Sequence, residues 1–375
     1  MPPFHDPPVP RPPTPGAVTV IPLTGVPEVE AGADLAALLL TAVARARQAL
    51  RDGDCLVVSS KVVSKALGLA ADGPRGAVVD AVTRRVVAER RGPGGLTRIV
   101  EAEAGPVMAA GGVDASNTGP SGSVLVLPEE PDAEAARLRE ELLAAGPGGH
   151  AALGVVLSDT AGRPWRAGQT DFALGAAGLV VIEDLRGGVD ADGRPLAVTA
   201  RALADEVAAA ADLVKGKTDG VPAALVRGLP RAWFSAEADG ARTLVRTGPA
   251  DWFALGHVEA VRSALGVAPG SEEAEEVGIS STTPEGLGDR VARVVALALL
   301  DVPDGSADVA VHDGDHPEQG GSGDRSRAEV CLGAPDPYDL GRLVARVEVA
   351  AASEALRSEV TTRSATSTTV LLRPT

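Results

Sequence analysis

Apolar positions recur along the chain with two periods, and the change from one to the other marks out the elements in order. Val18 to Leu23 alternates as a short strand and is followed by a turn at Gly25-Val26-Pro27. Leu35, Leu38, Leu39, Ala42, Val43 and Leu50 keep a helical spacing, with Asp34 placed to cap it. Asp52-Gly53 is a turn, and Cys55 to Val58 is a fully apolar, buried type of strand. Ser59 and Ser60 follow it, then a helix start that carries Lys61 and Lys65 on one face at i, i+4. A weaker stretch from Asp72 leads to the Gly-led turn Gly111 to Asn117. Val124 to Leu127 is the next strand, and Pro128 to Asp132 opens a helix through Leu138, Leu142 and Leu143.

Leu153 to Leu157 predicts a strand that delivers Ser158, Asp159 and Thr160 at its end, and Phe172 to Ile182 is a long apolar run with glycines. Thr199 is placed to cap a helix through Leu203, Val207 and Leu213, closed by Gly216, before a last strand at Ala223 to Val226. Beyond about Thr247 the character changes. Helical patterns appear at Val258–Leu265, Asp289–Leu300 and Leu340–Leu356, and Asp304 to Ser326 is a Gly/Asp/Ser-rich stretch too polar to fold alone. Residues 1–16, with eight prolines, read as a disordered tail, 17–247 as the main domain and 248–375 as an accessory region.

Composition narrows the class. The 375 residues are 45% hydrophobic but only 2% aromatic, so the core is built from Ala, Val and Leu. A net charge of −16 argues against a general nucleic-acid binder. No apolar run approaches the ~20 residues of a membrane span. The two cysteines, Cys55 and Cys331, cannot make a disulfide framework, so a cytoplasmic protein is expected. Of 35 basic residues only four are Lys, in two tight groups, Lys61 with Lys65 and Lys215 with Lys217. In a chain that otherwise uses Arg, these compact ammonium groups point to a site.

Several strand ends carry residues suited to an anionic ligand and its metal. These are Ser60, Lys61 and Lys65 after one strand, Asp114 and Asn117 in the Gly-led turn, and Asp159 with Thr160 after another. Carboxylate and hydroxyl oxygens suit Mg²⁺ or Mn²⁺, and no P-loop pattern occurs in the chain. Each feature also has an ordinary reading: a solvated helix face for Lys61 and Lys65, Asx turns for Asp114 and Asn117, a helix cap for Asp159-Thr160, and complementation of a helix C-terminus for Lys215 and Lys217. Asp190 to Gly193 imitates a calcium loop, but Arg201 stands where the bidentate Glu belongs, so it reads as an Asp-Gly hairpin turn. His312 to His316 sits in the polar stretch and reads as an acidic solvated loop. The segment Asp159 to Thr170 is the most unusual, placing Arg163 and Arg166 beside Trp165 on a Gly-bounded loop that offers bidentate recognition of carboxylate or phosphate.

That segment, continuing to Leu179, resembles the signature of the coenzyme F420-0:L-glutamate ligases, also called F420:γ-glutamyl ligases. The likeness extends over Gly53 to Lys65, Gly112 to Asn117, Leu127 to Asp132, Ala204 to Ala208, Gly216-Lys217 and Gly220 to Pro222, in family order. The resemblance implies an α+β fold with mixed sheets in two subdomains, beside a smaller, mainly helical C-terminal region. It also implies a homodimer, and GTP-dependent addition of L-glutamate to coenzyme F420-0, with Mn²⁺ or Mg²⁺ and K⁺ as an assisting ion. Carried over by motif, Gly25, Val26, Pro27, Glu28, Ser60, Lys61, Lys65 and Asn117 would contact GTP. The segment Lys215, Gly216, Lys217, Asp219, Gly220 and Val221 would wrap it, and Asp114, Asp159 and Thr160 would hold metal. Lys217 stands where relatives often carry an acid or Gln, and Ala110 where they carry Asn. Longer relatives add a flavin-binding, nitroreductase-like domain; Asp251 to Val261 resembles the junction into one and Leu340–Leu356 one of its helices. Residues 248–375 are short for it, however, and lack an Arg-rich flavin-phosphate motif, so the region reads as a reduced or divergent form of that domain and FMN is not expected there.

The chemistry agrees. A carboxylate is inert toward an amine until it receives a phosphoryl group, and that transfer needs positioning and charge neutralisation rather than a nucleophilic Ser, Cys or His. The five His residues lie outside all the motifs. Lys65, Arg163 and Arg166 are the candidate catalytic cations, with Arg186 as a further source of local positive charge. The rival readings are a non-catalytic deazaflavin-binding protein, or a GTP-dependent amide ligase acting on another pterin- or flavin-like acid.

Overall fold

In the strand Asp54–Ser59 (β2), Cys55 and Val57 point to one side and Leu56 and Val58 to the other, and all are fully buried. Such a strand needs cover on both faces. The computed structural model, which describes residues 16–116, 123–145, 152–246, 248–312 and 326–375, provides it. The chain divides into two units. The first comprises residues up to Arg84 and Glu101–Arg246; the second comprises Arg85–Val100 and Thr247–Thr375.

The first unit is built on Thr19–Pro22 (β1), Leu35–Arg45 (α1), β2, Ser60–Ala66 (α2), Ala70–Ala71 (β3) and Arg75–Ala81 (α3). Thr83–Gly92 (β4) and Gly95–Ala102 (β5) carry the chain through residues of both units to Val107–Ala109 (β6) and Val124–Leu125 (β7). There follow Pro131–Ala145 (α4), Leu153–Arg163 (β8), Arg166–Ala177 (β9), Ile182–Asp184 (β10), Ala200–Ala202 (β11), Leu203–Lys215 (α5) and Ala223–Arg227 (β12). The central sheet has the order β1-β12-β2-β8-β9. β2 and β8 are parallel; every other neighbouring pair is antiparallel. Leu35, Leu39 and Val43 of α1 and Leu138 and Leu142 of α4 pack with Leu56, Val58, Val155 and Leu225 on one face. Leu203, Val207, Ala208 and Ala211 of α5 pack with Cys55, Val57, Val156, Val226 and Trp233 on the other. Aliphatic residues fill both layers, as the scarcity of aromatics requires. Asp34 caps α1 through a 2.9 Å bond from the Ala37 N–H, and Asp132 and Glu134 lie in the first turn of α4.

Three local expectations are corrected. α5 begins at Leu203 behind Ala202, not behind Thr199, because Ala200–Ala202 first pairs with Ile182–Asp184. Leu213, counted into its apolar spacing, is exposed. The loop expected around Trp165 is the tip of a β-hairpin in which β8 and β9 run on past the core, with Arg163 opposite Arg166. The Asp190–Gly193 segment is a tight turn, its Asp190 carboxylate accepting from the N–H groups of Asp192 and Arg194.

The second unit contains His257–Ala264 (α6), Glu272–Val277 (α7), Leu287–Leu299 (α8), Ser306–His312 (β13), Arg327–Gly333 (β14), Pro337–Ser353 (α9), Leu356–Arg363 (β15) and Ser367–Pro374 (β16). The helices expected from the pattern are present, and with them stands an antiparallel sheet of order β13-β14-β16-β15. β13 falls inside the stretch read as too polar to fold. Its alternation of Ala307, Val309 and Val311 pairs with Leu332, Val330 and Ala328, and the β14 ladder supplies what the isolated segment lacks. Glu354, buried after α9, accepts from Arg262 at 2.9 Å and from Arg293 at 2.7 Å and ties three helices together. His312 is exposed; the rest of the His312–His316 cluster, like the N-terminal tail through residue 15, lies outside the described residues. Among the described residues no helix is long and apolar enough to cross a membrane.

Candidate active site

The strand directions decide where the chemistry can gather. β1, β2 and β8 run the same way and β12 runs against them, so three strand exits and one strand entrance share one end of the sheet. Gly25–Glu28 follows β1, α2 with Lys61 and Lys65 opens directly after β2, Asp159 and Thr160 lie on the outgoing part of β8, and residues 215–221 feed β12. All four lysines therefore stand at that end.

Side-chain contacts join these segments. The Lys61 ammonium lies 2.7 Å from Asp114 Oδ2, and donates to the Ser116 carbonyl at 2.7 Å and to Ser116 Oγ at 2.9 Å. Asp114 also accepts from the Ser116 N–H and hydroxyl, both at 2.7 Å. Burial works against its charge, but Lys61 and Ser116 outweigh it and hold the Asp114 carboxyl below the usual range. Lys65 makes an ion pair with Glu28, linking the turn after β1 to α2. Gly25 sits at φ 74°, where its carbonyl accepts from Arg45. Ser60 is buried at the start of α2. Gly216 and Gly220 both adopt positive φ, at 61° and 63°, which lets the segment from α5 to β12 turn twice within a few residues. Asp219 and Gly220 on it are exposed, and Val221 is partly buried.

Asp159 is different. Burial pushes its carboxyl up to about 6, with the negative charges of Asp171 and Asp114 adding to the effect; the Thr160 N–H, donating at 2.8 Å, and Lys217 oppose it. Burial is the main cause, and the contributions of the neighbouring charges are smaller.

Behind Asp159 lies a network centred on Asp171, a residue to which the sequence pattern assigns no role. Asp171 of β9 is buried and accepts from the Lys215 ammonium at 2.6 Å, from Ser158 Oγ at 2.9 Å and from Thr160 Oγ1 at 2.6 Å. Burial alone would raise its carboxyl, but Lys215 and the two hydroxyls hold it low. Lys215 also donates to Ser158 Oγ at 2.6 Å, so it points into the protein, not along the segment expected to wrap a nucleotide. Lys217 donates to Thr160 Oγ1 at 2.5 Å. The signal for Asp171 in the sequence is a charge at the mouth of the apolar run Phe172–Ala177; what hid it is a β-bulge. The pairing shifts between Leu157/Ser158 and Gly175/Ala173, and Leu174 is the extra residue. A slip of one residue moves every side chain of β9 that precedes Leu174 to the other face, which brings Asp171 to the side of Ser158, Thr160 and α5.

The structure thus brings together Lys61, Asp114, Asp159, Thr160, Lys215 and Lys217, and separately Glu28 with Lys65. It does not bring Arg163 and Arg166 to them. Both are exposed at the hairpin tip, and Arg163 is four positions beyond Asp159, about 13 Å at ~3.3 Å per residue. Arg186 pairs with Asp184 in its own turn. Asn117 lies outside the described residues.

A family model described as F420-0:Gamma-glutamyl ligase matches residues 25–75 and 77–228, which takes in every one of these segments. The chain belongs to this ligase family. Among relatives named "Coenzyme F420:L-glutamate ligase", that of Halobacterium salinarum (strain R1) is 40% identical over 225 residues, covering 54% of this chain and 84% of the relative. The Halorubrum lacusprofundi protein matches to the same extent, and that of Natronomonas pharaonis is 37% identical over 244 residues, covering 59% of this chain and 89% of its own. The family match ends at residue 228, so residues 248–375 lie beyond it.

Proposed function

We propose that this chain joins L-glutamate to the carboxylate of coenzyme F420-0 with consumption of GTP. The observation that carries the reading is the meeting, inside the family match, of Lys61 and Lys217 with Asp114, Asp159 and Thr160 at one end of the central sheet, with Lys65 on the same helix as Lys61. Substrate, nucleotide and glutamate are all anionic while the protein is strongly acidic, so a local concentration of ammonium groups is what binding requires.

The reaction divides into two displacements. The F420-0 carboxylate oxygen attacks the γ-phosphorus of GTP, the bond to the β-phosphate oxygen breaks, and GDP leaves. The glutamate amine, having lost a proton, then attacks the acyl carbon; the bond from that carbon to the phosphate oxygen breaks and phosphate leaves with its electron pair. Further γ-linked glutamates would repeat the cycle. The protein's share is to orient the phosphates and balance their charge. Lys61 and Lys65, on one helix face directly after β2, are placed for the phosphates. Arg163 and Arg166, on an exposed arm, are placed to engage the far end of a long substrate.

A divalent cation fits the donor set. Asp114, Asp159 and Thr160 offer oxygen ligands, and the buried Asp159 carboxyl has no cation within ion-pair distance among the contacts of the described residues, unlike Asp114, which Lys61 holds. Among the described residues no group of three or more His, Cys, Asp or Glu is arranged to hold a metal ion by itself, so an ion here would need water and substrate for the rest of its shell. An open shell completed by water and substrate phosphates is the habit of Mg²⁺ and Mn²⁺. Such an ion would supply Lewis-acid neutralisation of the γ-phosphoryl oxygens.

The test is to incubate the full chain with F420-0, L-glutamate and Mn²⁺, with GTP or with ATP, and read the product mass. A product heavier by one glutamyl residue with GTP, and much less with ATP, supports the proposal. F420-0 bound but unchanged would instead identify a deazaflavin-binding protein.

A further inference from the structure

We infer that Asp171 is a positioning residue that turns the Thr160 hydroxyl into an obligatory acceptor toward the cations of the site. The inference rests on the proposed metal-dependent reading and adds to it a residue and a device. A hydroxyl has one proton to donate and two lone pairs to offer. In this structure the Thr160 proton is committed to Asp171 Oδ1 at 2.6 Å, so both lone pairs face away from it. One accepts from Lys217 at 2.5 Å; the other is left for a further cation.

The commitment is enforced from behind. The second oxygen of Asp171 is held by Lys215 at 2.6 Å and Ser158 at 2.9 Å, and the Asp171 and Lys215 side chains are only 4% and 5% exposed. An ammonium can only donate, so Lys215 keeps Asp171 an acceptor, and Asp171 in turn cannot give Thr160 a proton. The geometry depends on the bulge at Leu174, without which Asp171 would face the opposite side of the sheet. A buried pair of this kind is a weak source of net stability, so its placement directly behind a candidate ligand calls for another explanation. Groups that fix a ligand's orientation from the second layer commonly change metal affinity by about 10- to 100-fold.

The experiment measures Mn²⁺ binding to the full chain by calorimetry and by electron paramagnetic resonance, with no turnover involved. Thr160→Val is expected to weaken binding by about 10- to 100-fold, Asp171→Asn by a similar factor, and the double variant by no more than either alone, since both remove one device. Asp171→Asn strands a buried Lys215, so Asp171→Val with Lys215→Met, an apolar pair that leaves the Thr160 proton no acceptor at position 171, provides a second variant that should show the same loss. Asp159→Asn reports on the underlying reading. If Asp159→Asn and Thr160→Val bind Mn²⁺ like the unaltered chain, the metal reading itself fails. If those two weaken binding while Asp171→Asn and the Asp171→Val, Lys215→Met pair bind normally, or if the losses of Thr160→Val and Asp171→Asn multiply, the positioning role is overturned and the metal reading stands.

Discussion

Asp159 should cost the metal-free protein stability, and Asp159→Asn should return it. Burial lifts the folded carboxyl from 3.8 to about 6, so the folded chain prefers the protonated form. The sign follows from proton linkage. Below about pH 4 the group is neutral in both states and costs nothing; as pH rises from there to about 6 the wild type loses stability, and above that the loss is constant. A difference of about two pKa units corresponds to roughly 3 kcal/mol at about 1.4 kcal/mol each, and partial solvent access brings the expectation to about 1–3 kcal/mol at pH 7.5. With about 2–4 °C per kcal/mol for a unit of this size, Asp159→Asn should melt about 2–12 °C higher. At pH 5 the gap should shrink to about half. The assay is scanning calorimetry of the full chain in EDTA at both pH values. A variant that melts at or below wild type at pH 7.5, or a gap unchanged between the two pH values, would refute the claim that burial holds the Asp159 carboxyl high.

Three other substitutions probe the framework. Lys215→Met leaves Asp171 buried without its cation and should cost about 3–5 kcal/mol in urea unfolding, whereas Lys215→Met with Asp171→Asn should recover most of it; equal losses would deny the pair its burial. Gly175→Ala places a Cβ on the Pro131 carbonyl at the head of α4 and should destabilise by about 1–3 kcal/mol without altering Mn²⁺ affinity; a neutral effect would mean α4 packs less closely on β9. Arg166→Ala should raise the KM for F420-0 and leave Mn²⁺ binding unchanged, and unaltered kinetics would remove the hairpin tip from substrate recognition.

The central sheet was legible because β2, β8 and β12 are short aliphatic runs bounded by turn residues, and strand exits are where α/β proteins bind ligands. Asp34 before α1 and the paired carboxylates opening α4 were readable from helix-end electrostatics alone. What escaped followed from tertiary pairing. Ala200–Ala202 was claimed by β10 before α5 could begin, and Ala307, Val309 and Val311 became a strand only because β14 lies beside them. Asp171 escaped because one bulged residue reversed the parity on which face assignment rests. The lysine count pointed to one end of the central sheet, where the structure gathers all four, but could not tell Lys61, which pairs with Asp114, from Lys215, which holds a neighbouring strand from within.

The most direct test of the account follows the oxygen. F420-0 labelled with ¹⁸O in its carboxylate is incubated with the full chain, GTP, Mn²⁺ and L-glutamate, and the released phosphate is analysed by mass. Activation by phosphoryl transfer predicts that one labelled oxygen leaves with the phosphate in every productive turnover. Unlabelled phosphate accompanying amide formation would contradict it, because the carboxylate would then have been activated by some other group.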